Sequence, residues 1–145
     1  HDFIGRSALE DMSQEPPRTK VTLALDQGDV LGIIASQLEP ADRGKFIEFP
    51  SAVYAMHPYD AVVIDGETVG ISTWIGYSSN ERKMLALAVI ANEFAQPGTE
   101  VTLLWGEADG GSKKVNVERH QQTVIRATVS PVPYSEYARR SYRAD

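Results

Sequence analysis

Cysteine is missing from this 145-residue chain. That excludes disulfides, thiolate metal ligands and a cysteine nucleophile, and it fits a reducing compartment, so a cytoplasmic location is expected. Basic charge is scarce as well: 14 Lys and Arg stand against 20 Asp and Glu, a net charge of −6. A phosphate backbone needs concentrated cations, so no nucleic-acid partner is expected. No apolar run approaches the roughly 20 residues of a membrane-spanning helix. A basic, then apolar, then small-residue opening of the secretory kind is also lacking, so no membrane partner is expected. The chain opens His1-Asp2-Phe3 with no initiator Met, and a fragment of a longer polypeptide is the expectation.

What is present is the composition of one soluble domain, 42% hydrophobic and 23% charged, large enough to bury a core without staples. Phe3, Ile4, Ala8, Leu9 and Met12 recur at helical spacing, with Asp2 or Ser7 as cap. Glu15-Pro16-Pro17 then stiffens the chain. Arg18 to Asp26 alternates as a strand, and Asp29 is expected to cap a short helix carrying Val30, Leu31, Ile34 and Leu38. Pro40 to Lys45 reads as a polar loop, and Phe46 to Pro50 as a brief edge strand.

The second half reads almost wholly as strands. Ala61 to Ile64 leads through the turn pair Asp65-Gly66 to a return strand with Val69, Ile71, Thr73 and Ile75 on one face. Leu85 to Ala91 is a continuous apolar run that periodicity alone assigns to neither strand nor helix. Pro97-Gly98 turns into Val101 to Trp105, Asp109-Gly110-Gly111 into Lys114 to Arg119, and Val124 to Val129 is the last strand. Tyr134 to Tyr142 is expected to form a short helix. The fold class expected is mostly β: a small closed antiparallel Greek-key barrel of about six strands, filled by side chains, with an N-terminal lead-in helix and one or two short helices. Residues 1–16 would be lead-in and linker, 17–134 the barrel and 135–145 a tail.

Few constellations carry chemistry. His1, His57 and His120 form no metal set. Glu118 and His120 would share one strand face as a carboxylate-oriented base, but a mixed-charge surface strand is the reading taken. Ser78 and Ser79 lie on a turn without the G-x-S-x-G surroundings of a hydrolase nucleophile. Glu39 and Asp42 are ordinary loop carboxylates, and no glycine-rich phosphate cradle is found. The segment from Gly76 to Met84 is read as a recognition loop longer than a tight hairpin, and Trp74 and Trp105 as core or interface anchors. Arg139, Arg140 and Arg143 cluster near the end among Tyr134, Tyr137 and Tyr142, and on composition they read as a solvated tail.

Several stretches together resemble a known family. Asp60-Ala61-Val62-Val63, Asp65-Gly66-Glu67-Thr68-Val69-Gly70, Thr73 to Tyr77, Leu85-Ala86-Leu87-Ala88 and Pro97-Gly98-Thr99-Glu100-Val101 are similar to the C-terminal barrel of the glycine-cleavage T-protein (aminomethyltransferase) superfamily. The opening Asp2 to Leu9 resembles the segment leading out of that superfamily's catalytic part. Gly76 to Arg82, Leu104-Trp105-Gly106-Glu107, Val117-Glu118-Arg119-His120, Ile125 to Val129 and Pro131-Val132-Pro133-Tyr134 resemble its tetrahydrofolate-dependent aryl O-demethylases of the vanillate and syringate type.

The resemblance implies that tetrahydrofolate is bound mainly by upstream domains of the same polypeptide, where N5 accepts a one-carbon unit from a small-molecule methyl or aminomethyl donor. It places the catalytic residues upstream of His1, so none is assigned in this chain and the chain alone is expected to be inactive. It also suggests that Arg139 and Arg140 approach the folate's glutamate carboxylates, a task suited to the guanidinium fork. Self-association of the isolated chain through an exposed apolar patch is a further expectation. The alternatives are a stand-alone β-barrel binding module without catalysis and the C-terminal part of a flavin-linked dimethylglycine or sarcosine oxidoreductase.

Overall fold

Residues 3–14, 18–40, 43–50, 59–111, 113 and 115–142 are described by the computed structural model. His1, Asp2, the connector Glu15-Pro16-Pro17, Asp42, His57, Lys114 and Arg143 lie outside the described residues. In chain order the elements are α1 (Arg6–Gln14), β1 (Arg18–Leu25), α2 (Gln27–Ser36), β2 (Asp60–Ile64), β3 (Glu67–Ser78), β4 (Lys83–Ala91), a 3-10 turn (Asn92–Phe94), β5 (Glu100–Trp105), β6 (Thr123–Ser130) and α3 (Glu136–Arg140).

The six strands close into one antiparallel barrel in the order β1-β4-β3-β2-β5-β6, with β6 returning to β1. Three consecutive strands, β2 to β4, are joined by hairpins, and β1 lies beside β4 after a long connection carrying α2, which is a Greek key. Closure leaves no edge for another strand to join.

Alternation fills the interior. Val21, Leu23 and Leu25 of β1 point in, as do Met84, Ala86, Ala88 and Ile90 of β4, and Ile125, Ala127 and Val129 of β6. Each large aliphatic side chain so buried contributes about 1.5–3 kcal/mol before the entropy of ordering it is subtracted. The Leu85 to Ala91 run, ambiguous by period, is a strand because it pairs on both sides, with β1 and β3.

Six local expectations are corrected. Asp26 caps α2, its side chain accepting from the Asp29 amide at 2.9 Å, so Asp29 sits in the first turn with its carboxylate left for Arg126. The buried face of α2 is Val30 and Ile33, whereas Leu31, Ile34 and Leu38 are exposed. Ser7 lies inside α1 and does not cap it. Phe46 to Pro50 is coil ending in a bend and forms no strand, and residues 115–119 are turn, bend and coil. Ser79 to Arg82 is a short turn, because β3 and β4 stay paired as far as Ser78 opposite Lys83.

In β3 the buried residues are Gly70, Ser72 and Ile75, and Ile71 is exposed. A bulge between Ser72 and Trp74 adds one residue and switches the face on which odd-numbered side chains lie. That extra residue is invisible to a period-2 count.

Candidate functional site

The densest polar cluster is buried where the strand end of β5 meets two irregular segments. Lys45 is fully buried, and its ammonium lies 3.1 Å from Glu107 Oε1 and 5.0 Å from the centre of the Trp105 ring. Trp105, also fully buried, donates its indole N–H to the Lys45 carbonyl at 2.8 Å. A lysine enters such a core only with a carboxylate and a ring face to offset desolvation. The expected polar loop ending at Lys45 is therefore corrected: its last residue is an anchor.

His120 comes from the opposite segment. Its Nδ1 lies 2.9 Å from the Glu118 carbonyl, which can only accept, so Nδ1 carries the proton. Nε2 then accepts from the Glu107 amide at 3.0 Å. These two bonds define a neutral imidazole. Glu107 Oε2 also lies 3.1 Å from Nε2, but that approach becomes an ion pair only when His120 takes a second proton and the amide gives up its acceptor. The backbone bonds, having fixed partners, decide the resting state. The expected mixed-charge surface strand is overturned, because the His120 side chain has no solvent exposure. Its orienting partner on that segment is the Glu118 carbonyl, since the Glu118 carboxylate accepts from the Phe46 amide at 2.8 Å.

Two further bonds seal the cluster. Asp60, at the start of β2, accepts from the Gly106 amide at 2.9 Å, and Gln122 donates to the Gly106 carbonyl at 2.7 Å. Gly106 has φ 98°, and a Cβ there would stand 2.8 Å from His120 Nε2. Only glycine allows the strand to turn so closely past the imidazole. Both His120 nitrogens are committed and Lys45 is sealed in, so the cluster offers no free base to solution. It ties loop 43–47, β2, β5 and residues 118–122 into one body. Among the described residues no group of three or more His, Asp or Glu side chains is placed to hold a metal ion.

A second charged group holds α2 against β6. Arg126 reaches Asp29 through Nη2 at 2.8 Å and Nε at 2.9 Å, and Asp26 at 3.2 Å. Hydrogen bonds from the Arg126 side chain and backbone hold the Asp29 carboxyl below its ordinary value of 3.8. An open groove of about 580 Å³ runs beside it, lined by Asp26, Asp65, Lys83, Glu100 and Arg126 among others. Its carboxylates outnumber its cations, which is unsuited to an anionic tail.

At the C-terminal end Arg139 and Arg140 lie on exposed α3. Arg139 Nη1 donates to the carbonyls of Pro133, at 2.7 Å, and Tyr134. Arg140 pairs with Glu136 one turn back at 2.8 Å. The structure thus places the two arginines side by side on one short helix, far in sequence from the buried cluster.

No protein-family model matches the chain. The barrel superposes on the glycine cleavage system aminomethyltransferase T of Bartonella henselae with a TM-score of 0.52 over 88% of this chain and 25% of that one, at 16% identity. That is a likeness of fold. In sequence the chain is 60% identical, over 98% of its length, to the syringate O-demethylase of Sphingobium sp. (strain NBRC 103272 / SYK-6). The chain is also 34% identical over 92% of its length to the sesamin methylene transferase of Sinomonas sp. (strain No.22). The chain spans 31% and 30% of the lengths of these two relatives.

Sequence reasoning missed Glu107 as the partner of His120 and Lys45 as the partner of Glu107. A signal was available: Leu104-Trp105-Gly106-Glu107 and Val117-Glu118-Arg119-His120, two of the stretches carrying the O-demethylase resemblance, supply Trp105, Glu107 and His120 to one cluster.

Proposed function

We propose that this barrel is the closing domain of a tetrahydrofolate-dependent one-carbon transferase of the O-demethylase type. The observation that carries the reading is 60% identity to a syringate O-demethylase across almost the whole chain. Tetrahydrofolate, when bound, supplies a nucleophilic N5 that accepts the one-carbon unit. The barrel's part is to hold and to enclose, and no group in this chain handles the donor. Arg139 is the residue best fitted to the folate's glutamate end. One guanidinium nitrogen is locked on the Pro133 and Tyr134 carbonyls, leaving three of the five N–H donors for an outside carboxylate. Arg140 joins it by exchanging Glu136 for that carboxylate.

A methylene donor is the second reading, favoured by the likeness to the sesamin methylene transferase. One chimera tests the closing role that both readings share. The chain replaces the corresponding segment of the Sphingobium syringate O-demethylase, and methylated tetrahydrofolate is followed by mass spectrometry with syringate as donor. The expected result is turnover, with Arg139→Ala/Arg140→Ala raising KM for tetrahydrofolate about tenfold and sparing kcat, the pattern of lost uniform binding. A folded chimera without turnover refutes the proposal.

A further inference from the structure

The outside of the β3–β4 hairpin carries a surface that the barrel itself does not use. Because Met84, Ala86, Ala88 and Ile90 fill the interior, Leu85, Leu87 and Val89 face outward, half-buried. On β3 the bulge at Thr73 has a specific consequence. Ile71 and Trp74 are three residues apart and would alternate to opposite faces of a regular strand. With one extra residue inserted, both face out, Ile71 opposite Val89 and Trp74 opposite Leu87, at 40% and 41% exposure. The result is a contiguous apolar face with an aromatic at its centre, flanked along β1 by Lys20 opposite Val89. An apolar centre with a half-exposed tryptophan and a charged rim is the anatomy of a protein interface.

The path of the chain indicates the occupant. β1 enters the barrel beside this face, with Arg18 opposite Ala91 and Lys20 opposite Val89. Just before it stands α1, whose Leu9 and Met12 are 55% and 62% exposed. The relatives are about three times as long as this chain, which spans 31% and 30% of them. Polypeptide leading into α1 is therefore tethered next to the β3–β4 face, at an effective concentration of order millimolar that a second copy does not match in dilute solution.

We infer that the outer β3–β4 face, anchored by Trp74 and flanked by Ile71, Leu87 and Val89, is the seat of the upstream, folate-binding part of the same polypeptide. The inference rests on the function proposed above and adds the surface through which closure is transmitted. The bulge at Thr73 is the device that aims the anchor.

The test uses the full-length chimera, with a benzophenone amino acid at position 74 and, in a second version, at position 71. Irradiation is expected to give cross-links within one polypeptide to residues upstream of α1, mapped by mass spectrometry. The same probe at Val124, exposed on β6, is expected to give none. Trp74→Glu is expected to speed tryptic cleavage at Arg18 and Lys20 about tenfold, since cleavage follows the fraction of molecules in which the face has opened. Cross-links only between two copies, only to α1, or at neither position overturn the inference. Equal cross-linking from Val124 or an unchanged cleavage rate does the same. Cross-links upstream in a chimera without turnover would keep the docking face and remove the proposed chemistry, so the two failures are distinguishable.

Discussion

Removing the Glu107 side chain tests whether the buried cluster is a coupled unit. Lys45 has no solvent exposure, and the carboxylate of Glu107 is its charged partner at 3.1 Å. Glu107→Ala leaves an ammonium in the core with only the Trp105 ring face and the surrounding dipoles to stabilise it. Breaking a buried pair in this way costs about 3–5 kcal/mol. The reverse change is milder. Lys45→Met keeps the aliphatic stem, and the Glu107 side chain left behind is 22% exposed and still reaches water. A cost of about 1–2 kcal/mol is expected, because only part of the desolvation penalty falls on a group that still reaches water.

The double variant therefore should sit near Lys45→Met and not at the sum, with a coupling energy of about 3–5 kcal/mol, the whole cost of Glu107→Ala. For a domain of this size each kcal/mol shifts Tm by about 2–4 °C, so Glu107→Ala should melt about 6–20 °C lower. The assay is urea unfolding of the chain and the three variants, read by circular dichroism and checked for equal slopes. Lys45→Met costing as much as Glu107→Ala, or single effects that add within about 0.5 kcal/mol, refutes the reasoning.

Gly70→Ala should be among the most damaging single-methyl additions. Its Cβ would stand 2.3 Å from the Val89 carbonyl and 2.7 Å from Ile90 Cα, both backbone atoms of the neighbouring strand. A loss of about 3 kcal/mol or insoluble expression is expected, and a melting curve like the wild type's would count against the close strand contact. Arg126→Gln should alter the acid limb of stability. Asp29, held below its ordinary value of 3.8 by Arg126, contributes stability present above that pH and lost as pH falls through its lower folded value. The variant should therefore melt below the wild type at about pH 7, with the curves converging at about pH 2; a constant gap would contradict the linkage. Asp26→Ala should cost about 1 kcal/mol through the lost α2 cap, read as a lower urea midpoint with unchanged slope.

Residues whose environment is set within their own strand were legible from sequence. Val21, Leu23 and Leu25 announce an inward face, and Asp65-Gly66 announces its hairpin. A closed barrel of about six strands was expected from counting turns, and six strands close it. What could not be read was set by distant chain. Lys45 follows a Pro-, Asp- and Gly-containing segment and looks solvated until Trp105 and Glu107, about sixty residues on, are folded against it. His120 looked like a surface residue because residues 115–119 imitate a strand, whereas their bonds go to loop 43–47. Asp29 was expected as the cap, but Asp26 precedes the same apolar residues and takes that role, while Arg126, opposite on β6, claims the Asp29 carboxylate. Arg139 and Arg140 came only from the family resemblance, and the folate contact proposed for them would involve chain that lies beyond this domain.

The two relatives bear on where donor choice lies. A syringate O-demethylase and a sesamin methylene transferase, named for different donors, each match this barrel over more than nine-tenths of its length. A pocket that chose between such donors would need shape and polarity that differ between the two, and the cluster at its centre is closed to solution. The barrel instead offers a rigid body with two outward features: the Trp74 face beside its entry strand, and the arginines of α3 beyond its last strand. Rigidity is what the Lys45–Glu107–His120 lock provides, since it fastens loop 43–47 and residues 118–122 to the strands between those features. A barrel that grips the upstream part with one surface and a folate carboxylate with the other would couple closure to cofactor binding. Variants at Trp74 and at Arg139 should then weaken tetrahydrofolate binding to the full-length chimera less than additively in free energy, because each removes part of the same closing step. Titration calorimetry of the two single variants and the double decides this, and strictly additive losses would mean that the barrel's two surfaces act independently.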